Sequence, residues 1–399
     1  MNVKRALLDR IDGAADGFPL YLPRLDVYYA HNRSNGTLPA AWRGKTLEEI
    51  RADLNVGVHA VIPEYLSGAG EADSHHRALG FSNHPEFPWR ADFSAVDYAV
   101  EHAEPTSLRV RYFLPDGEIT TAIEYGDAFF ATGASIPTVL EHAVKTPDDY
   151  RRLARLFDRV RILPQPEGYR RFHDRVGDRG LAVAPISLAA GPVAHIMRDL
   201  QRPDLFFLDR YDDPEAVLAC AEALRRLHDE MLDRALETPA ETIIYGANYD
   251  STITYPPLFA EHFKPCLAAA AARAHAAGKR LLTHIDGENQ GLVEHYLESG
   301  FDIADSVCPA PMTRLTLAEY RREFASRITI WGGIPSVLML SSFCDFEAFK
   351  RRIDAMLEED RPYDRLIYSV ADTMPPHAEY DRIRYLSDAM AVPSLRRWT

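Results

Sequence analysis

The sequence predicts an α/β protein, a single (β/α)8 TIM barrel over residues 1–399 with a β-hairpin insertion between its second and third strands. Three observations point there. Eight short apolar runs are separated by helix-length amphipathic stretches, the alternation of a parallel sheet covered by helices. Most of the runs are continuously apolar, as strands buried on both faces must be. Polar residues gather where the runs stop, which is where a barrel collects its chemistry.

In chain order the strand candidates are 20–29, 57–63, 181–187, 242–249, 280–285, 301–304, 328–332 and 366–371. Between them, Val217, Ala221, Leu224, Leu227, Met231 and Ala235 recur at helical spacing through 214–236. Similar stripes run through 256–277, 291–297, 316–324 and 346–357. Asp345 is placed to cap the helix from 346, and Thr316 with Glu319 fits a capping box. After the second strand, the stretch from Leu108 to Tyr125 alternates polar and apolar residues around Pro115-Asp116-Gly117, the signal for a hairpin over about 107–126. Such an excursion suits either a cover over the barrel mouth or the interface of a homodimer.

Composition supports one soluble domain. The chain has 399 residues, 46% of them hydrophobic and 26% charged, with no repeat or linker to divide it. A formal charge of −14 argues against a nucleic-acid or anionic-membrane partner and leaves a small molecule as the expected ligand. With no apolar run of about 20 residues and no charged-then-apolar leader, neither a membrane span nor a signal peptide is expected. Cys220, Cys266, Cys308 and Cys344 stand far apart, which gives no disulfide framework and fits a reducing cytoplasm.

The strand ends supply the candidate chemistry. His284-Ile285-Asp286 closes one run, and residues i and i+2 of a strand share a face. With Asp372 at the end of the last strand they would make an N/O/O site suited to zinc or another borderline divalent ion. The competing reading makes His284 a hydrogen-bonded core histidine and Asp286 the cap of a helix beginning near Glu288, since Asp-Gly after a strand is common turn chemistry. Asn248 and Asp250 end another strand, as substrate-orienting groups or as the start of a turn. Asp305 is placed to meet a substrate polar group, to hold His284 in orientation, or simply to pack. Trp331-Gly332-Gly333 offers a flat ring and two small residues that admit a ligand, or a tight turn. Glu64 is a lone carboxylate after the second strand. His75, His76 and His84 lie in a loop and read as surface or lid histidines. No G-x-S-x-G, P-loop or GxGxxG pattern is present.

Several of these segments recur in a known order. Gly246-Ala-Asn-Tyr-Asp followed by Pro257-Leu-Phe-Ala-Glu-His-Phe-Lys-Pro, then His275-Ala-Ala-Gly-Lys-Arg-Leu-Leu-Thr-His-Ile-Asp-Gly, resemble the uroporphyrinogen decarboxylase superfamily. So do Tyr296-Leu-Glu-Ser-Gly-Phe-Asp, Arg327-Ile-Thr-Ile-Trp-Gly-Gly-Ile-Pro and Asp372-Thr-Met-Pro-Pro. The resemblance is strongest from about 240 to 380 and implies a TIM barrel. It also implies one of two chemistries. The porphyrinogen decarboxylases work without a cofactor and carry an Arg-rich N-terminal signature, R-Q-A-G-R, which the stretch from Tyr21 to Arg33 lacks; Glu64 falls roughly where they place a catalytic Asp. The corrinoid-linked methyltransferases bind zinc through His-x-Cys and a later Cys. In this chain His284 matches the histidine, while Asp286 and Asp372 stand at the two thiolate positions, which implies a harder, less thiophilic site.

The expected function is therefore metal-assisted methyl transfer or demethylation of a small substrate, with any corrinoid carried by a partner protein. His284, Asp286 and Asp372 would hold the ion, Asp250 and Glu64 would be the catalytic groups, and Asn248, Asp305, Trp331, Gly332 and Gly333 would contact substrate. The alternatives are a cofactor-independent decarboxylase or lyase, and a protein that binds a corrinoid or tetrapyrrole without turnover.

Overall fold

The computed structural model describes residues 2–14, 17–61, 74–104, 107–125 and 137–390. Within them the strands follow as β1 (Leu20–Tyr21), β2 (Trp89–Asp92), β3 (Asp97–Glu104), β4 (Ser107–Leu114), β5 (Gly117–Glu124), β6 (Thr138–Glu141), β7 (Arg161–Pro164), β8 (Ala184–Ser187), β9 (Thr242–Ala247), β10 (Arg280–His284), β11 (Ile303–Val307), β12 (Thr329–Pro335) and β13 (Leu366–Ala371). Seven of them form one parallel sheet in the order β1-β13-β12-β11-β10-β9-β8. Helices Pro214–Leu236, Lys264–Ala276, Val293–Ser299, Leu317–Phe324 and Phe346–Glu359 lead into β9, β10, β11, β12 and β13 in turn. The protein is thus a mixed α/β fold with a helix-covered parallel sheet.

Strand alternation sorts the apolar residues into two cores. Ile243, Leu281, Ala304, Ile330 and Leu366 belong to the large core against the helices. Their neighbours Ile244, Leu282, Ile303, Trp331 and Ile367 meet on the other face, joined by Leu20, Leu22, Val61, Leu181 and Val183. The sheet therefore wraps around a shared interior. The N-terminal helix Val3–Ile11 seals the lower end of that interior with Val3, Leu7 and Ile11. Its buried Arg10 donates to the carbonyls of Phe18, Tyr363 and Leu366, so the plug is fixed to the starts of the strands. The carboxyl ends of the same strands stay available for polar groups.

Four expectations need correction. The run 20–29 is strand only at Leu20–Tyr21; Pro23 removes a ladder donor, and Asp26–Ser34 is a helix that buries Tyr28, Tyr29 and Asn32. The run 57–63 contributes a bridge from Val58 to Gly180 and a hydrogen bond from Val183 N–H to Ala60 O, with residues beyond 61 outside the described set. No ladder joins it to β1 among the described residues. The expected hairpin is present with its register at Leu114 and Gly117, but it is the inner pair of a four-stranded antiparallel sheet, β3-β4-β5-β6, and β2 pairs with β7 beside it. Finally, β11 and β12 run on to Val307 and Pro335, so Asp305 and Gly333 lie within strands rather than after them. The capping box at Thr316 and Glu319 and the cap from Asp345 to Ala348 N–H form as the sequence indicates.

Candidate metal centre

The inner apolar layer fixes where the polar groups stand. Two residues past Leu22, Leu282 and Ile303, on the same face, come Arg24, His284 and Asp305. His284 and Asp305 are direct partners in the β10–β11 register. Their side chains meet accordingly, His284 Nδ1 to Asp305 Oδ2 at 2.6 Å. Both neighbouring ladders slip by one residue at this level. One shift lies on β9 at Gly246 and the other on β11 at Ser306, which adopts φ 60. Bulges of this kind re-aim strand-end side chains.

With Nδ1 committed to Asp305, Nε2 of His284 faces two further carboxylates. Asp372 Oδ1 is 3.3 Å away and Asp286 Oδ2 is 3.7 Å away. One potential ligand atom from each of His284, Asp286 and Asp372 lies within 4.8 Å of the others. Side-chain exposure rises from Asp305 (4%) through His284 (12%) and Asp286 (21%) to Asp372 (44%), so the set opens to solvent on the Asp372 side and is backed by Asp305.

Burial and the mutual charges of the cluster act against each other. Burial works against charge on His284, but Asp286, Asp305 and Asp372 outweigh it and hold the imidazole well above its ordinary pKa. Burial also opposes charge on Asp305, yet hydrogen bonding to His284 and the nearby His59 keep it well below the usual carboxylate range. Asp372 is lowered too: burial resists, and His284 and Arg24 prevail. Three carboxylates thus surround one imidazole, with the Arg24 guanidinium beside Asp372.

Two residues at this centre were not singled out from the sequence. Arg24 Nη1 lies 3.7 Å from Asp372 Oδ1, and its Nε lies 3.4 Å from Asp26. His59 Nε2 is 3.8 Å from Asp305 Oδ1, on the side away from His284, with its ring 5.0 Å from that of Trp331. The available signal was the two-residue spacing: Arg24 follows Leu22, and His59 precedes Val61, on the inner face.

The remaining sequence candidates take other places. Asp250 accepts hydrogen bonds from Thr252 N–H at 2.8 Å, from the Thr252 hydroxyl, and from Glu288 N–H at 3.4 Å. Burial raises its pKa, but those donors lower it further, so the carboxylate is committed to its own turn and to the loop after β10. Asn248 sits at φ 59 with an exposed side chain, and its N–H donates to His284 O at 3.0 Å. Trp331 is fully buried in the inner layer with Nε1 unpaired among the described residues. At Gly332, φ is 145 and an added Cβ would stand 2.6 Å from Val307 N, so this glycine lets β11 and β12 approach; Gly333 continues the strand. Cys308, just past β11, has its thiol pushed up to about 12, by burial first and then by Asp286 and Asp372. Glu64 lies outside the described residues.

No protein-family model matches this chain, and no curated protein matches it in sequence. A solved structure, a methyltransferase from Methanosarcina mazei, is similar to it with a TM-score of 0.54, covering 97% of this chain and 98% of its own, at 15% identity. At that identity the likeness establishes a shared fold over nearly the whole of both chains.

Proposed function

We propose that this protein is a metal-dependent methyl-transfer or demethylation enzyme built on a closed eight-stranded barrel. The run around Val58–Val61 would supply the eighth strand. The observation that carries the reading is the convergence of His284 Nε2, Asp286 and Asp372 within 4.8 Å, backed by the 2.6 Å contact from Asp305 to Nδ1. The methyltransferase with the similar fold supports the reaction class.

The donor set fits a divalent ion. One imidazole nitrogen and two carboxylates, open on one side, match a three-ligand site for zinc or a similar borderline ion. Such an ion would supply Lewis-acid polarisation of a hydroxyl, ether or carboxylate oxygen of a small substrate. The chain's own residues do the rest. Asp305 would accept a hydrogen bond from Nδ1–H and so leave Nε2 as the nitrogen that could hold the ion. His284 would have to give up any proton on Nε2 to serve as a ligand. Arg24, beside Asp372 and Asp26, limits the negative charge at the open edge. Asn248 and Asp250 stand on the neighbouring strand end, where a substrate would lie. A corrinoid, if the methyl group passes through one, would arrive on a partner protein.

Metal analysis of the purified protein tests this. The wild type is expected to carry about one equivalent of a divalent ion per chain, and His284→Ala to lose it. A metal-free wild type that also takes up no zinc on titration would remove the reading.

A further inference from the structure

Asp286 is the candidate ligand with the weakest direct support. Its nearest ionic partner is His284 Nε2 at 3.7 Å, and no hydrogen bond of ordinary length reaches its carboxylate among the described residues. The loop that carries it is nonetheless held on every side. Glu288 O accepts from Ser251 N–H at 2.7 Å, Glu288 N–H reaches Asp250 at 3.4 Å, and the Glu288 carboxylate accepts from Arg314 N–H at 3.0 Å. Gly287 lies so near β9's exit that an added Cβ would fall 2.0 Å from Tyr249 O.

The innermost tie is Asn289. It is fully buried, and its Nδ2 donates to Ile285 O at 2.9 Å and Gly287 O at 2.8 Å, the carbonyls of the two residues that flank Asp286. Nδ2 also lies 3.0 Å from the Tyr320 hydroxyl, while Oδ1 accepts from the Tyr296 hydroxyl. The Ile285 carbonyl belongs to the peptide plane that enters Asp286 and the Gly287 carbonyl to the second plane after it, so the two bonds clamp the turn that carries Asp286 and restrain the direction of its Cα–Cβ bond. A primary amide suits this place because it presents N–H groups to the two carbonyls and an acceptor to the tyrosine. An aspartate would turn an acceptor on those carbonyls.

We propose that Asn289, held by Tyr296 and Tyr320, is the positioning residue for Asp286 and pre-sets this ligand for the metal. The proposal rests on the metal reading above. An unbonded carboxylate on a rigidly tied backbone is what a ligand needs, because it meets the ion without first giving up a hydrogen bond or ordering a loop.

The test uses the full chain, stripped of metal, titrated with Co²⁺ followed by visible absorption and with Zn²⁺ in competition. Asn289→Ala is expected to weaken both ions by about 10- to 100-fold and to shift the Co²⁺ spectrum. The double variant Tyr296→Phe/Tyr320→Phe keeps the amide but removes its anchors, and should move affinity and spectrum in the same direction by less. It carries the test should Asn289→Ala fail to fold. Tyr169→Phe, which loses a buried hydrogen bond to Ala182 O far from the loop, should lower thermal stability with Co²⁺ binding unchanged. Wild-type affinity and spectrum in folded Asn289→Ala, or in the double variant if that alone folds, overturn the positioning role while leaving the metal reading intact. Failure of the wild type itself to bind either ion overturns both.

Discussion

His284 Nδ1 lies 2.6 Å from the buried carboxylate of Asp305. A histidine whose Nδ1 is held by a buried carboxylate is fixed in one tautomer and made a stronger base at Nε2. Asp305→Asn keeps the shape but takes away the charge. It should weaken metal affinity by about 10- to 100-fold in a chelator competition titration, with the fold intact by circular dichroism. An unchanged affinity would mean that Asp305 merely packs. The sequence leaves Asp305 open among substrate contact, support for His284 and simple packing; the register that puts these two residues opposite each other appears only once the strands are paired. For His59 and Arg24 the two-residue spacing marks only the face, because their partners Asp305 and Asp372 lie far away in the chain. His284-Ile285-Asp286, by contrast, was legible because its two side chains share a face at i and i+2.

At the scale of elements, the strand tips are held by close backbone approach and the helix layer by buried polar links. Gly332→Ala would force a side chain against Val307 at a φ that L residues rarely adopt, and should destabilise the fold by roughly 2 kcal/mol or more in urea unfolding. A wild-type midpoint would show that β12 can shift. In the helix layer, His195 Nδ1 meets His228 Nε2 at 3.1 Å, and His228 Nδ1 meets the Tyr245 hydroxyl at 2.9 Å, tying two helices to β9. Burial lowers the pKa of both histidines, with Asp199 opposing the shift at His195 and His195 adding to it at His228. A folded pKa below the unfolded value of about 6.5 means that the unfolded chain takes up protons the folded one refuses as pH falls. Their contribution is fully present above about pH 6.5 and is lost below it. His228→Gln should flatten the fall in urea midpoint between pH 7 and 5 by up to about one proton; an unchanged slope would contradict this. These histidines carry no sequence signal beyond a helical stripe, because their partners come from other elements.

For the whole molecule, the alternation of apolar runs and amphipathic stretches made the helix-covered parallel sheet legible before any coordinates. The continuous runs mark strands with two buried faces, and those faces are now seen as two separate cores. The insertion was only partly legible. Pro115-Asp116-Gly117 marks one turn clearly, whereas β3 and β6 are flanking strands of mixed polarity whose pairing depends on the hairpin between them. The plug beneath the interior and the centre above it occupy opposite ends of the same strands, so they should respond independently. Leu7→Ala, at a fully buried position of the plug, is expected to cost about 2–5 kcal/mol of stability without altering metal affinity at temperatures where the variant is folded. Parallel loss of both would contradict that separation.

The central claim is that His284, Asp286 and Asp372 hold one ion together. Anomalous diffraction at the zinc edge, from crystals of the zinc-loaded protein, tests it most directly. The account predicts a single strong peak at about 2.0–2.2 Å from His284 Nε2 and from one oxygen each of Asp286 and Asp372. An anomalous map without a peak there, or with zinc bound only to surface histidines, would contradict it.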